Sequence, residues 1–413
     1  MAEISETDKK AIQEFLILCL NPANTLDASL CQQWSNEQID YFHQLCIQKR
    51  IFPIIYNRLK HIPEIPEQII EPLHLLYKAN GIRNVRLFSE LKQILTAFDQ
   101  AGIKTIILKG SYLAPVVYGN VADRVLRDID ILVTLEDIQK TQQTMHSLGY
   151  EQEAGRENQF ESSDEIEYFF SKHKDLLPYI KNGLHVEVHQ KINYPWGPQI
   201  DVNELWKRMQ SITLFNQTAY ILHPEDFILH LCLHLTHQDK FTNGLLALYD
   251  IKLFYAHHKD MIDFNHLLQN AKKYKMERSL FVTLQLCKVI LGESFNTNIN
   301  SQIDKEVPRE IINLSIEQLF TDKAGDCYIE FNGGNLRNKI KKVFSSMFIS
   351  NKELSMRYGK QESLLTSPYL YFKHWKYLIT THALPILRYS KKESVDHKII
   401  AKQSNLINWL SDK

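Results

Sequence analysis

Residues 127–133 read Arg-Asp-Ile-Asp-Ile-Leu-Val, and residues 108–111 upstream of them read Leu-Lys-Gly-Ser. Successive side chains of a β-strand point to opposite faces, so Asp128 and Asp130 share one face of the strand that this apolar run predicts. Two neighbouring carboxylates suit Mg²⁺, which binds carboxylate and phosphate oxygens. The pattern therefore predicts a phosphoryl- or nucleotidyl-transfer site, in which metal ions hold the attacking and leaving oxygens.

The residues that precede the two acids fit the same chemistry. Residues 104–108 are largely apolar and β-branched, which predicts a short buried strand. Gly110 would let the backbone come close to a ligand, and Lys109 would add a positive charge. Ser111 would offer its hydroxyl and amide to phosphates at the start of a helix over 112–117. The alternative is an ordinary strand–turn–helix connection with two solvated acids, but the Gly-Ser pair and a third acid favour the metal site.

The third acid lies in residues 184–192, Leu-His-Val-Glu-Val-His-Gln-Lys-Ile. Alternation places His185, Glu187 and His189 on one strand face, and a wholly polar face usually points to water. A metal site, however, needs a further carboxylate from a neighbouring strand. Glu187 is the best candidate to complete the ligand set and to accept the proton of an acceptor hydroxyl. His189 could orient Glu187, bind the metal or contact phosphate.

Further positions extend this pattern over roughly residues 35–295: Leu108-Lys109-Gly110, Tyr118, Arg124, Arg127, Asp128 to Val133, Leu148-Gly149-Tyr150, Val186 to His189, His230, His234 and Leu248 to Ile251. With them the chain resembles the bacterial uncharacterised nucleotidyltransferase family, in the superfamily that includes DNA polymerase β and the aminoglycoside nucleotidyltransferases. The resemblance implies an α+β fold, with a small mixed β-sheet nucleotidyltransferase core flanked by helical N-terminal and C-terminal domains. It also implies an NTP donor and a nucleotide-binding role for Arg127.

Composition limits the remaining possibilities. A chain of 413 residues with 44% apolar residues predicts two or three packed domains. We expect a helical domain over 1–101, the α/β core over 102–200, a helical domain closing the cleft over 201–300, and a helical, basic and aromatic region over 301–413. No apolar run is long enough for a transmembrane segment, and the N-terminus lacks the pattern of a signal peptide. Six scattered cysteines without a C-x-x-C pair make a zinc site unexpected and indicate a cytoplasmic protein.

The spacing of apolar residues predicts where the helices and strands lie. Apolar residues at three- and four-residue spacing predict helices over 9–20, 36–50, 51–60, 67–101, 136–148, 224–238, 244–258, 263–274 and 276–291. Within the core, residues 150–154, 165–171 and 184–191 are predicted strands.

The helix predicted over 224–238 carries His230, His234 and His237 on one face. Two histidines four residues apart can bind a metal, but no glutamate lies between them as in a zinc peptidase motif. A histidine-bearing face toward the cleft or a polar core is the favoured interpretation. The resemblance implies that this face closes over the nucleotide or the acceptor, with Asp250 as a polar partner on the next helix.

Total charge is balanced, with 48 basic and 48 acidic residues, but residues 336–392 hold twelve Lys or Arg against two acids. Aromatic residues are interleaved with the basic ones. Such a region could contact the backbone and bases of RNA, lie on an anionic membrane surface, or pack against acidic parts of the same protein.

These observations predict a cytoplasmic, Mg²⁺-dependent nucleotidyltransferase that moves an NMP from an NTP to a hydroxyl or phosphate acceptor and releases pyrophosphate. Asp128, Asp130 and Glu187 would be catalytic and bind metal, as a two-ion site. Lys109, Gly110, Ser111, Arg127 and His189 would bind the nucleotide, with Gly110 and Ser111 cradling its β- and γ-phosphates. A small-molecule acceptor is favoured. The alternatives are an RNA or tRNA end, reached through the basic region, and a catalytically idle nucleotide-binding module that partners another protein.

Overall fold

The computed structural model describes residues 4–152, 158, 160, 162–194, 197–321, 347–351, 354, 367–383 and 405–410. Most of its buried apolar residues form one core that runs from the N-terminal helices through the sheet into the helices that follow, and Ile349, Leu354 and Leu370 form a separate small cluster. Within the described residues, none of the helices combines the length and the apolar character needed to cross a membrane. The five cysteines in this part of the chain are buried and form no disulfide.

The N-terminal region is helical, as its periodicity predicts. Its helices are α1 (Glu6–Leu20), α2 (Ser29–Gln32), α3 (Asn36–Gln48), α4 (Phe52–Leu59) and α5 (Glu67–Gln100). Ser35 begins α3 with a reciprocal capping box in which its side chain and that of Gln38 each accept a backbone N–H. Pro66 stands at the start of α5. These local signals explain why the predicted ends lie within a few residues of the observed ones.

A mixed seven-stranded sheet follows, with helices packed on it, so the predicted fold class is confirmed. The strands are β1 (Ile106–Ile107), β2 (Asp128–Leu132), β3 (Glu151–Gln152), β4 (Tyr179–Lys181), β5 (Leu184–His189), β6 (Gln210–Leu214) and β7 (Gln217–Ile221). Their order in the sheet is β3-β4-β5-β2-β1-β7-β6. The central pair β2 and β5 is parallel, and β1 is antiparallel to β2.

The connections in this region are helical. They include α6 (Lys109–Tyr112), α7 (Ile138–Ser147), α8 (Ser163–Phe170) and α9 (Val202–Arg208). Helix α6 continues into the π-helical turn Leu113–Val117.

Two predictions about this region need correction. Residues 165–171, predicted as a strand, lie mostly in α8, because Ser162 caps the helix and the buried residues Ile166, Phe169 and Phe170 follow a helical spacing. The predicted core limit at residue 200 leaves out β6 and β7, which belong to the sheet because β7 pairs with β1. The other domain limits stay predictions.

Helices return after the sheet, again as predicted. They are α10 (Pro224–Leu233), α11 (Gly244–His258), α12 (Phe264–Lys273), α13 (Glu277–Leu291), α14 (Thr297–Glu306), α15 (Arg309–Leu319), α16 (Ser367–Leu378) and residues 405–410. Helix α10 continues into a π-helical turn, His234–Gln238. Most of the predicted basic region 336–392 lies outside the described residues, which include only Lys373 and Lys376 of its twelve basic side chains.

Helix α5 holds the segment that leads into β2. The side-chain amide of Asn84 donates to the backbone oxygens of Val121 and Arg124 at 2.6 and 2.7 Å, and Asn80 also donates to that of Arg124. The guanidinium of Arg83 donates to the carbonyl of Arg127 at 2.9 Å. These bonds fix the backbone directly before the first acid of β2.

Candidate active site

The pairing of β2 with β5 brings the predicted acids together. In this parallel register Asp130 stands opposite Glu187, and Asp128 stands opposite His185. Asp130 is buried, whereas Asp128 and Glu187 are partly buried. All three acids line one cavity, which is where the alternation of both strands predicts them.

This cavity has a volume of about 260 Å³ and lies between the sheet, the end of α3, and helices α10 and α11. Its lining is mostly polar and charged: Arg50, Lys109, Gly110, Arg124, Val125, Leu126, Arg127, Asp128, Asp130, Lys174, Glu187, Tyr194, Leu231, His234, Gln238, Asp239, Asn243, Leu246, Ala247 and Asp250.

Asp130 is the most closely held of the three acids. Its Oδ1 accepts from Lys109 Nζ at 3.0 Å and lies 2.9 Å from His189 Nε2. Its backbone N–H donates to Ser111 Oγ at 3.2 Å. Burial alone would raise the pKa of Asp130, but Lys109 and His189 hold that pKa well below its usual value. Asp130 is therefore ionised and oriented at neutral pH.

The pKa values of the other two acids, Asp128 and Glu187, are shifted upwards, opposite to that of Asp130. Burial, reinforced by the charge of Asp130, raises the pKa of Glu187 to about 7. The same two causes raise the pKa of Asp128. A carboxylate with a pKa near neutrality matches the requirement for a general base at that pH.

The side chains that are close enough together to hold a metal ion differ by one residue from the predicted metal ligands. Ligand atoms of Asp130, Glu187 and His189 all lie within 4.8 Å of one another, whereas Asp128 is not part of this group. The two carboxylates suit Mg²⁺, which prefers oxygen ligands. The imidazole of His189 already contacts Asp130, which is how a histidine next to a metal ligand commonly orients it.

The environment of His189 was not predicted from the sequence. Its Nδ1 lies 3.4 Å from Lys174 Nζ and 3.6 Å from Asp175 Oδ2, and Lys174 and Asp175 form an ion pair at 2.7 Å. Burial and the charge of Lys174 lower the pKa of His189, which favours the neutral ring. No motif in the sequence signals that Lys174 and Asp175 come this close, because the contact depends on the path of the chain after α8.

The structure places Ser111 differently from the prediction. The helix begins at Lys109 rather than at residue 112, so Ser111 lies within its first turn. Its amide donates to the carbonyl of Leu108, its hydroxyl accepts from the backbone N–H of Asp130, and its side chain is buried. Ser111 therefore positions β2, and it is not among the residues that line the cavity.

Gly110 lines the cavity, and the absence of a Cβ at this position also leaves room for neighbouring side chains. A Cβ added at Gly110 would lie 2.2 Å from Nη1 of Arg124 and 2.3 Å from Cδ2 of Leu126. Arg124 cannot simply move aside, because both of its other guanidinium nitrogens bind Asp250, at 2.8 and 2.7 Å. Glycine is required here to accommodate a buried arginine.

We therefore expect Gly110→Ala to lower the free energy of unfolding by about 1–3 kcal/mol, the usual cost of overpacking. Denaturant titration measures this change. Gly197→Ala is the control, because its Cβ would make an ordinary 3.4 Å contact with the Tyr194 carbonyl. Equal stability of the two variants would contradict this account of Gly110.

Arg124, Tyr118 and Asp250 form a buried network at the edge of the cavity. Arg124 pairs with Asp250 through two hydrogen bonds, and the Tyr118 hydroxyl donates to the same carboxylate at 2.8 Å. Asp250 lies on α11, so the network joins that helix to the segment before β2. The polar partner of Asp250 is thus this pair of residues rather than the histidine face.

His230, His234 and His237, which were predicted to share one helix face, have different surroundings in the structure. His234 lines the cavity, with its Nδ1 3.2 Å from Asp239 Oδ2. His230 is buried, and neither of its ring nitrogens has a hydrogen-bond partner among the described residues. His237 contacts Ser279 Oγ at 3.0 Å. Of these three histidines, His234 is the one that lines the cavity.

Besides Arg124, two further arginines line the cavity. Arg127, expected from the resemblance to bind nucleotide, is exposed there. Arg50 was not selected from the sequence, because it lies in the N-terminal helical region, far along the chain from the acids.

Comparisons with known proteins give one family. A family model described as "uncharacterised nucleotidyltransferase" matches residues 35–292, more than half of the chain. No curated protein matches. Among solved structures, the solution structure of the antibiotic-resistance factor ANT(2″)-Ia is similar at 11% sequence identity, covering 49% of this chain and 96% of that one with a TM-score of 0.33.

Proposed function

The chain belongs to the uncharacterised nucleotidyltransferase family, and from this premise we propose that it moves an NMP from an NTP to a small hydroxyl- or phosphate-bearing acceptor, using Mg²⁺. The observation that carries the proposal is the register of β2 with β5, which sets Asp130 beside Glu187 on the wall of a charged cavity. Asp128 lines the same cavity.

The residues present fit a divalent cation. Asp130 and Glu187 would hold it, with Asp128 beside them, and two carboxylates are the ligand type that Mg²⁺ prefers. When bound, the ion supplies charge neutralisation at the phosphates and at the departing pyrophosphate. Lys109 and His189 keep Asp130 ionised and oriented for this role.

Glu187 would accept the proton of the acceptor hydroxyl. Before a cation binds, burial and the charge of Asp130 raise the pKa of Glu187 to about 7, which makes it a stronger base than an ordinary glutamate. The nucleophile itself comes from the acceptor, so catalysis depends on positioning and electrostatics rather than on a covalent intermediate.

To test this reaction, we would incubate the protein with Mg²⁺, NTPs labelled at the α-phosphorus, and pooled acceptors. We expect the label to appear in an acceptor together with an equal amount of pyrophosphate. Release of inorganic phosphate from the γ-position, with no transfer of the label, would contradict nucleotidyl transfer.

The same assay separates the acceptor classes. The small volume of the cavity between sheet and helices, about 260 Å³, supports a small acceptor. For a small acceptor we expect a weak dependence of the rate on salt. A steep loss of activity on RNA between 50 and 200 mM salt would instead favour an RNA end, because each phosphate contact releases counterions.

A further inference from the structure

We propose that Arg50, together with Arg127, binds the terminal phosphates of the nucleotide, so that the N-terminal helical region supplies part of the active site. This inference rests on the proposed function and adds a residue from outside the sheet. Arg50 lines the cavity that also contains Asp128, Asp130 and Glu187.

The backbone position of Arg50 is unusual for an arginine. It follows the end of α3 with a φ of 58°, and the amides of Arg50 and Ile51 donate to the carbonyls of Ile47 and Cys46. These two bonds are the Schellman motif, whose left-handed residue is usually glycine because a Cβ is unfavourable there. An arginine at this position is strained, and such strain is typical of functional sites.

Among the described residues, the side chain of Arg50 has no hydrogen-bond or ion-pair partner. Its Nε is buried without a hydrogen bond, and its guanidinium makes no ion pair with any residue that the structure describes. It interacts electrostatically with Asp128 and Asp239, and unfavourably with Arg127 and Arg124. Burial is the main cause that lowers the pKa of Arg50, and the charge of Arg127 adds to it.

Arg50 and Arg127 differ in their ion pairing from the other three cationic side chains that line the cavity. Three of the five Lys and Arg side chains that line it are paired with carboxylates of the protein. These pairs are Lys109 with Asp130, Arg124 with Asp250, and Lys174 with Asp175. In the described part of the chain, no such partner is found for the guanidinium of Arg50 or of Arg127.

Two unpaired guanidinium groups on one wall suit a polyanion. Each offers five N–H donors in a planar fork that matches phosphate oxygens. Ser111 does not supply equivalent donors, because it does not line the cavity and its amide already donates to the carbonyl of Leu108. The terminal phosphates of an NTP, or the pyrophosphate that leaves, would satisfy both arginines and remove their mutual repulsion.

The test compares ligands of different phosphate length. We would titrate the wild-type protein and the variants Arg50→Gln, Arg50→Lys and Arg127→Gln with inorganic pyrophosphate, NMPs and non-hydrolysable NTP analogues, all with Mg²⁺. Arg86→Gln is the matched control, because Arg86 is an exposed arginine of α5 that does not line the cavity. Arg50→Gly is a further variant that removes the left-handed strain, so that folding is retained.

For Arg50→Gln, Arg50→Gly and Arg127→Gln we expect affinity for pyrophosphate and for NTP analogues to fall about 10- to 100-fold, the range for a charged hydrogen bond. Affinity for NMPs should stay within about twofold of wild type, which a generally damaged site would not show. Arg50→Lys should fall in between, because it keeps the charge and loses the fork.

Two results would overturn the inference. If the wild type binds NTP analogues and Arg50→Gln binds them as Arg86→Gln does, Arg50 is no phosphate ligand, and the proposed function stands without it. If the wild type binds neither pyrophosphate nor any nucleotide, both the inference and the proposed function fail.

Discussion

Asp130→Asn is expected to lower the rate of nucleotidyl transfer by on the order of 10³-fold, the loss typical of removing one preorganised electrostatic group from an active site. Of the three acids, Asp130 is the one whose pKa lies below its usual value, and it is held by Lys109, His189 and the backbone contact to Ser111. Neither Asp128 nor Glu187 can replace it, because both have raised pKa values and lie at other positions on the cavity wall. Transfer of the α-phosphorus label measures the effect.

The fold should survive this substitution. Asparagine has nearly the same shape, and its Oδ1 can still accept from Lys109, so the melting temperature should change by only a few degrees. Asp99→Asn, at an exposed position near the end of α5, is the charge-matched control and should keep full activity. Activity of Asp130→Asn within tenfold of this control would contradict the role of Asp130.

The second large effect concerns stability rather than chemistry. Asp250→Ala is expected to lower the free energy of unfolding by about 3–5 kcal/mol, the cost of leaving a buried charge without its partner. Arg124 is only 8% exposed, and Asp250 is its bidentate partner. The Tyr118 hydroxyl loses its acceptor in the same variant. Denaturant titration followed by circular dichroism measures the change.

A double variant distinguishes an unpaired charge from lost packing. Arg124→Met with Asp250→Leu removes both charges and fills the space with apolar groups, which is often neutral for buried ion pairs. We expect this double variant to be more stable than Asp250→Ala alone. If Asp250→Ala costs less than about 1 kcal/mol, like an exposed pair, the network does not stabilise the junction between α11 and the segment before β2.

How far the sequence predicted the site depends on the range of the interactions involved. The shared strand face of Asp128 and Asp130 could be predicted because strand alternation is a local property, and the parallel pairing of β2 with β5 sets Asp130 beside Glu187. The catalytic roles of these three acids stay predictions. The helices of the N-terminal region were equally predictable from spacing and caps such as Ser35.

Gly110 illustrates a prediction of the right residue for an incomplete reason. Its position in the motif suggested close approach of a ligand, whereas the structure shows that the missing Cβ makes room for Arg124. That contact joins residues fourteen positions apart through a loop whose path is set by Asn84 of α5. No local pattern reveals it.

Arg50 and α8 are two further features that the sequence analysis did not predict correctly. Arg50 reaches the cavity only because the N-terminal helices pack beside the sheet, and its left-handed backbone leaves no signal in the sequence. Residues 165–171 were predicted as a strand, whereas the buried residues Ile166, Phe169 and Phe170 follow the spacing of a helix. A short aromatic segment of this kind is ambiguous until its packing is known.

The most direct test of the central claim is calorimetric titration with non-hydrolysable analogues of the four NTPs, with and without Mg²⁺. The wild-type protein and the double variant Asp128→Asn/Asp130→Asn are compared. We predict Mg²⁺-dependent binding of at least one analogue to the wild type and loss of that binding in the variant. Absence of binding to the wild type under every condition, or equal binding by the variant, would contradict a metal-dependent nucleotide site at these acids.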